Sequence, residues 1–152
     1  MNPEESTMLV YRKLHGYKYD IRARIVIRVN CPYNFAAEYY SVKDGYMYVE
    51  VGYAYDGPSG PAIDTPDFML ASLVHDVFYQ AMREGLLPLA FRKIADKEMY
   101  RVCIGQGMWR IRANGAYHFV RLLSEHTAKP EKNPRGQIVR LAIKPMKGGG
   151  KS

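Results

Sequence analysis

The sequence has few cysteines and no long apolar run. Its two cysteines, Cys31 and Cys103, allow at most one disulfide, which excludes a small secreted scaffold held together by several disulfides. No segment approaches the ~20 apolar residues that a helix needs to span a bilayer. The first residues, MNPEESTMLVYRK, carry acidic side chains where a signal peptide carries basic ones. We therefore expect a protein made in a cytoplasm, with no signal peptide and no transmembrane segment.

The positive charge of the chain is concentrated near its end. Of the net charge of +7, residues 127–152 contribute seven Lys/Arg and one Glu, whereas residues 1–126 have a net charge of only +1. This predicts an extended basic tail, rich in Pro, Gly and Lys, after one domain. Such a tail is typical of segments that contact an anionic membrane or another protein, and also of segments that only aid solubility. Nucleic acid is a less favoured partner because the charge excess is confined to the tail.

The first third of the chain has the pattern of β-strands. Residues 18–29 alternate charged and apolar side chains, the period of a half-buried strand. Residues 39–42 and 46–55 are two further β-rich runs, and Asp44-Gly45 between them is a strong hairpin signal. We predict a small antiparallel sheet in this part of the chain.

Residues 56–61 (DGPSGP) form a glycine- and proline-rich loop, after which the pattern becomes helical. Asp64-Thr65-Pro66-Asp67 has a capping side chain, an early proline and an early acid, the features of a helix start. We predict helices over about residues 66–84, 89–104 and 108–124. The order of elements predicts an α+β domain over residues 1–126, followed by the tail at 127–152.

Four polar side chains in the first two predicted helices are suited to acid–base chemistry. His75 and Asp76 are adjacent, and Tyr79 shares the helix face of His75 because it lies four residues further on. A short connection favours antiparallel packing of the two helices, which would bring Asp96 close to His75. A carboxylate beside a neutral histidine fixes the tautomer that accepts a proton from water. Asp76 could then hold a calcium ion, together with carbonyl oxygens of the glycine-rich loop.

These segments resemble the motifs of phospholipases A2. ASLVHDVFY (71–79) is similar to their catalytic helix, and ADKEMY (95–100) is similar to their second helix. GYAYDGPSG (52–60) resembles their calcium loop, and is most similar to the disulfide-free version in parvovirus capsid proteins. The wider sequence also resembles a family of uncharacterised proteins from tailed bacteriophages and prophages, with the location that this implies, a virion or the host cytoplasm.

The resemblance implies a role for each matching residue. His75 would be the general base, Asp96 its orienting partner, and Tyr79 a hydrogen-bond donor to Asp96. Asp76 would be the carboxylate ligand of calcium.

The loop would provide the remaining calcium ligands through the backbone carbonyls of Gly57 and Gly60. Asp56 is a further candidate ligand, although a turn role fits it equally well. The loop departs from the family pattern in carrying Ser59 between Pro58 and Gly60, which leaves its geometry open.

Three functions fit these features. The first is calcium-dependent hydrolysis of phospholipid esters by a bacteriophage protein that acts on the host membrane. The second is a virion structural protein of the tail, neck or baseplate, which keeps the His-Asp cluster as architecture and docks on its neighbours through the basic tail. The third, a His-Asp metal phosphohydrolase, is the least favoured because it needs further histidine ligands upstream, where His15 fits poorly.

Overall fold

Strands precede helices in the fold, and one further strand follows the helices. The computed structural model describes residues 2–14, 19–55, 65–122 and 138–146. Its elements are β1 (Met8–Lys13), β2 (Tyr19–Ile21), β3 (Ile25–Arg28), β4 (Phe35–Ala36), β5 (Tyr40–Lys43), β6 (Tyr46–Val49), β7 (Ala54–Tyr55), α1 (Pro66–Arg83), α2 (Arg92–Gly105), α3 (Arg110–Leu122) and β8 (Ile138–Ala142). The predicted α+β class is confirmed.

The chain divides into two compact units. The β unit comprises residues 1–55 and 129–152, and the helical unit comprises residues 56–128. The sequence predicted instead one domain over residues 1–126 and a separate tail, of which 127–137 and 147–152 lie outside the described residues. Within the expected tail, β8 pairs antiparallel with β1. Isoleucine, valine and leucine in the run IVRLA favour a strand, but the basic charge around them obscured that signal.

The β unit contains two four-stranded antiparallel sheets rather than the one sheet that was predicted. Their strand orders are β7-β2-β1-β8 and β3-β6-β5-β4. The predicted strand over residues 18–29 is interrupted by a bend at Arg22-Ala23, so β2 and β3 belong to different sheets. The backbone N–H of Arg22 donates to the carbonyl of Val10 at 2.8 Å, which holds the bend against β1.

The hairpin predicted at Asp44-Gly45 is confirmed. It joins β5 to β6, and both turn residues have positive φ, 51° for Asp44 and 83° for Gly45. Two consecutive positive φ angles give the turn the twist that antiparallel strands favour. Glycine adopts this conformation without a steric cost.

The helical unit follows the predicted boundaries closely. Pro66 is the first residue of α1, and Thr65 precedes it with extended backbone, while Asp64 lies outside the described residues. Gly85, with φ of 78°, follows the end of α1. The second predicted helix begins as a short 3-10 turn at Leu89–Phe91 and continues as α2.

Candidate functional site

The first helix carries most of the candidate site in a buried position. Of its 18 residues, 14 are buried, and these include His75, Asp76 and Tyr79. A helix that is buried on most of its surface usually has few polar residues there, because an unpaired buried polar group is costly. The polar side chains of α1 must therefore find partners within the fold.

Asp96 of α2 is the shared partner of two of them. His75 Nε2 lies 2.7 Å from Asp96 Oδ1, and the Tyr79 hydroxyl donates to the same oxygen at 2.8 Å. Asp96 has no exposed surface. The approach of the two helices that the sequence predicted, with Asp96 beside His75, is present in the structure, and Tyr79 joins them as the resemblance implied.

This geometry assigns the tautomer of His75. An ionised carboxylate only accepts hydrogen bonds, so Nε2 must carry the proton that it donates to Asp96. In the neutral form of the imidazole, the other ring nitrogen, Nδ1, carries the lone pair. A histidine in this state can take a proton from a water molecule at Nδ1 while the carboxylate stabilises the resulting cation.

Two arginines complete the site, and sequence reasoning missed both. Arg121 of α3 donates from Nη1 to Asp96 Oδ2 at 2.8 Å. Arg92, at the start of α2, donates from Nε to the Tyr79 hydroxyl at 3.0 Å and from Nη2 to the backbone carbonyl of Arg121 at 3.2 Å. Arg92 therefore binds both α1 and α3. The sequence indicated these arginines only indirectly, because a buried carboxylate such as Asp96 needs a compensating cation.

The hydrogen bonds set the ionisation of the network. Burial alone would raise the pKa of Asp96, but the hydrogen bonds from His75 and Arg121 outweigh it and hold that pKa below its ordinary value. Burial and the adjacent Asp96 raise the pKa of the Tyr79 phenol above its ordinary value. Tyr79 therefore remains a hydrogen-bond donor and Asp96 remains an acceptor throughout the physiological range.

Asp76 is the one predicted calcium ligand within the described residues. The residue is 4% exposed, and its Oδ1 lies 4.0 Å from His75 Nδ1. Asp56, Gly57 and Gly60 lie outside the described residues, as does His15. In the described ranges no three His, Cys, Asp or Glu side chains converge on a metal site. The described structure thus provides one carboxylate of the kind calcium binds, directly beside the proposed proton acceptor.

The cysteines do not form the disulfide that the sequence allowed. Cys31 and Cys103 are both buried, and neither is part of a disulfide. Burial raises the pKa of the Cys103 thiol to about 12, so this cysteine is no candidate nucleophile.

Comparisons with family models, with curated proteins and with solved structures found no match. Among the described helices, none has the length and apolar character to cross a bilayer.

Proposed function

We propose that this chain is a bacteriophage protein that hydrolyses phospholipid esters with calcium, using His75 as the general base. The observation that carries the proposal is the bond between His75 Nε2 and Asp96 Oδ1 at 2.7 Å, which leaves Nδ1 as the proton acceptor. The position of Asp76 beside that nitrogen and the resemblance to phospholipases A2 support it. On this proposal the protein is associated with the virion and acts on the host membrane.

In the proposed reaction, His75 Nδ1 takes a proton from a water molecule as the water oxygen attacks the ester carbonyl carbon. The ester C–O bond then breaks, and the imidazolium returns the proton to the leaving alkoxide. The products are a fatty acid and a lysophospholipid. Asp96 stays ionised throughout and stabilises the transient imidazolium, while Tyr79 and Arg121 hold its two oxygens in place.

Calcium would be held by Asp76 and by the loop residues Asp56, Gly57 and Gly60. When bound, it supplies a positive charge that stabilises the negative oxygen formed in ester hydrolysis. The donor set is all oxygen, which suits a hard cation such as calcium.

The test is fatty-acid release from mixed phospholipid vesicles, with calcium or with EDTA, by the wild type and by His75→Gln. Glutamine can place an amide N–H near the position of Nε2 and so keep the bond to Asp96, but it has no basic nitrogen. We expect calcium-dependent release that is lost in this variant. His118→Gln is the matched control because His118 is exposed on α3, and it should keep full activity. The absence of release from folded, calcium-supplied wild type would refute the proposal.

One observation favours the alternative of a virion structural protein. His75 is only 7% exposed and Asp96 is fully buried, and a satisfied buried network of this kind also specifies a unique core without any catalysis. On this alternative, His75→Gln and His75→Ala would differ in stability, while neither they nor the wild type would release fatty acid. The protein would then dock on tail, neck or baseplate proteins through its basic C-terminal segment.

A further inference from the structure

Arg92 contacts the two groups that hold the oxygens of Asp96. Its Nε donates to the Tyr79 hydroxyl at 3.0 Å, and that hydroxyl donates to Asp96 Oδ1. Its Nη2 donates at 3.2 Å to the backbone carbonyl of Arg121, the residue whose Nη1 donates to Asp96 Oδ2. Arg92 and Asp96 also share a face of α2, because they are four residues apart. These contacts close a ring of hydrogen-bonded side chains that joins α1, α2 and α3.

Each contact of Arg92 fixes one of the two groups. The Tyr79 oxygen accepts from Arg92 on one side, so its single hydrogen is directed elsewhere, to Asp96. The last carbonyls of a helix have no partner within that helix. In α3, Arg92 Nη2 donates to two of them, those of Val120 at 3.4 Å and Arg121 at 3.2 Å. Arg92 therefore holds both the Tyr79 hydroxyl and the turn from which the Arg121 side chain extends.

His75 lies between two carboxylates, so the position of Asp96 decides which ring nitrogen carries the proton of the neutral ring. Asp96 Oδ1 lies 2.7 Å from Nε2, whereas Asp76 Oδ1 lies 4.0 Å from Nδ1. Only a nitrogen that carries a proton donates to a carboxylate, and the shorter distance favours the proton on Nε2. If Asp96 moves away, the form with the proton on Nδ1, directed at Asp76, becomes competitive. In that form Nδ1 no longer accepts a proton from water.

We propose that Arg92 is a positioning residue of the site, which keeps Asp96 in place and thereby keeps the His75 proton on Nε2. The charge of Arg92 alone does not provide this role, because a guanidinium presents its donors in a planar fork, whereas an ammonium is a compact point charge. The inference deepens the proposed function and rests on it for the chemistry at Nδ1. The position of the proton can nevertheless be measured without any turnover.

The measurement is a heteronuclear NMR spectrum of the histidine ring nitrogens in the full chain, in EDTA at about pH 8, where an ordinary histidine is neutral. His75→Gln identifies the signals of His75. The wild type should have its proton on Nε2. In Arg92→Gln, the ratio of the two neutral forms should change about tenfold toward Nδ1–H, and the two nitrogen signals should move toward each other. Arg92→Lys should change in the same direction, because one ammonium cannot reproduce the fork.

Arg112→Gln is the matched control. Arg112 also belongs to α3 and also binds α1, through Asp67 at 3.1 Å and the Thr65 hydroxyl at 2.9 Å. Its loss should loosen α3 without removing a contact of the ring around Asp96, so the His75 proton should stay on Nε2. With ester-linked vesicles and calcium, Arg92→Gln should lower kcat about tenfold to a hundredfold with KM unchanged, and Arg112→Gln should change neither.

A His75 proton that stays on Nε2 in folded Arg92→Gln would overturn the inference, as would an equal change in Arg112→Gln or a wild-type proton on Nδ1. Circular dichroism checks the fold of each variant. If Arg92→Gln does not fold, Arg92→Lys decides, since it keeps the charge: a wild-type spectrum overturns the positioning role and the expected change supports it. If the proton moves as expected but the wild type releases no fatty acid, the proposed function fails and the positioning of His75 stands. If the wild type hydrolyses and Arg92→Gln keeps both its kcat and its proton on Nε2, only the inference fails.

Discussion

Replacing Asp96 with asparagine should destabilise the helical unit by about 3–5 kcal/mol near neutral pH. Asp96 is fully buried and accepts from three donors, at 2.7 Å from His75, 2.8 Å from Tyr79 and 2.8 Å from Arg121. Hydrogen bonds to a charged group contribute about 1.5–3 kcal/mol each. An asparagine amide can accept on one oxygen only, so its NH2 group must face a donor, either Arg121 or the pair of His75 and Tyr79.

The free energy of unfolding can be measured by urea titration with far-ultraviolet circular dichroism, a signal to which helices contribute most. Asp67→Asn is the matched control, because Asp67 lies in the same unit and also pairs with an arginine of α3, Arg112 at 3.1 Å. Its side chain is 26% exposed, so we expect a loss of about 1 kcal/mol or less. An Asp96→Asn loss as small as that of the control would refute the assignment of Asp96 as an ionised, fully paired group.

The same measurement has a defined pH dependence. The pKa of Asp96 is lowered in the folded protein, so its contribution to stability is fully present above the ordinary aspartate pKa of about 3.9 and is lost as the pH falls through the lower folded value. The difference between wild type and Asp96→Asn should therefore decrease as the pH falls below about 4. A difference that grows below that pH would contradict the sign of the shift.

Other consequences can be checked independently. Tyr79→Phe removes one of the three donors to Asp96 and should lower the free energy of unfolding by about 1–2 kcal/mol in the same urea assay; an unchanged midpoint would count against the bond. Because burial raises the pKa of Cys103 to about 12, iodoacetamide at about pH 8 should leave it unmodified in the folded protein and alkylate it in urea, as followed by mass spectrometry. Gly45→Ala should cost about 1 kcal/mol because φ is +83°, whereas Gly115→Ala within α3, with nothing within 4 Å of the added Cβ, should stabilise by about 0.5–1 kcal/mol.

The helical unit was the more predictable part of the fold. Pro66 and Gly85 mark the two ends of α1 in the sequence, and each acts through its own backbone preference without tertiary help. The β unit was less predictable, because the bend at Arg22-Ala23 contains no glycine or proline. It depends on the pairing of β2 with β1 and of β3 with β6, which are contacts distant in sequence.

In the candidate site, too, some contacts were predicted from the sequence and others depend on tertiary packing. The short connection to α2 was enough to predict that Asp96 would lie close to His75, whereas the contact of Tyr79 with Asp96 was implied only by the resemblance to phospholipases A2. Arg121 was not predictable, because its contact with Asp96 depends on how α3 packs against α2. Which residues share a face of one helix can be predicted from their spacing in the sequence, whereas the angle between two helices is a result of side-chain packing.

The contact of Arg121 with Asp96 fits both a catalytic and a purely structural role of the His75–Asp96 pair. Both readings require the bond from His75 Nε2 to Asp96, and Arg121 balances the carboxylate charge in either case. The readings differ at the other ring nitrogen, because a structural histidine needs only Nε2, whereas a general base needs Nδ1 to reach water. His75→Gln isolates this difference, since it can keep the first interaction and lacks the second. If it retains the stability of the wild type and loses hydrolysis, the network serves chemistry at Nδ1 as well as the fold.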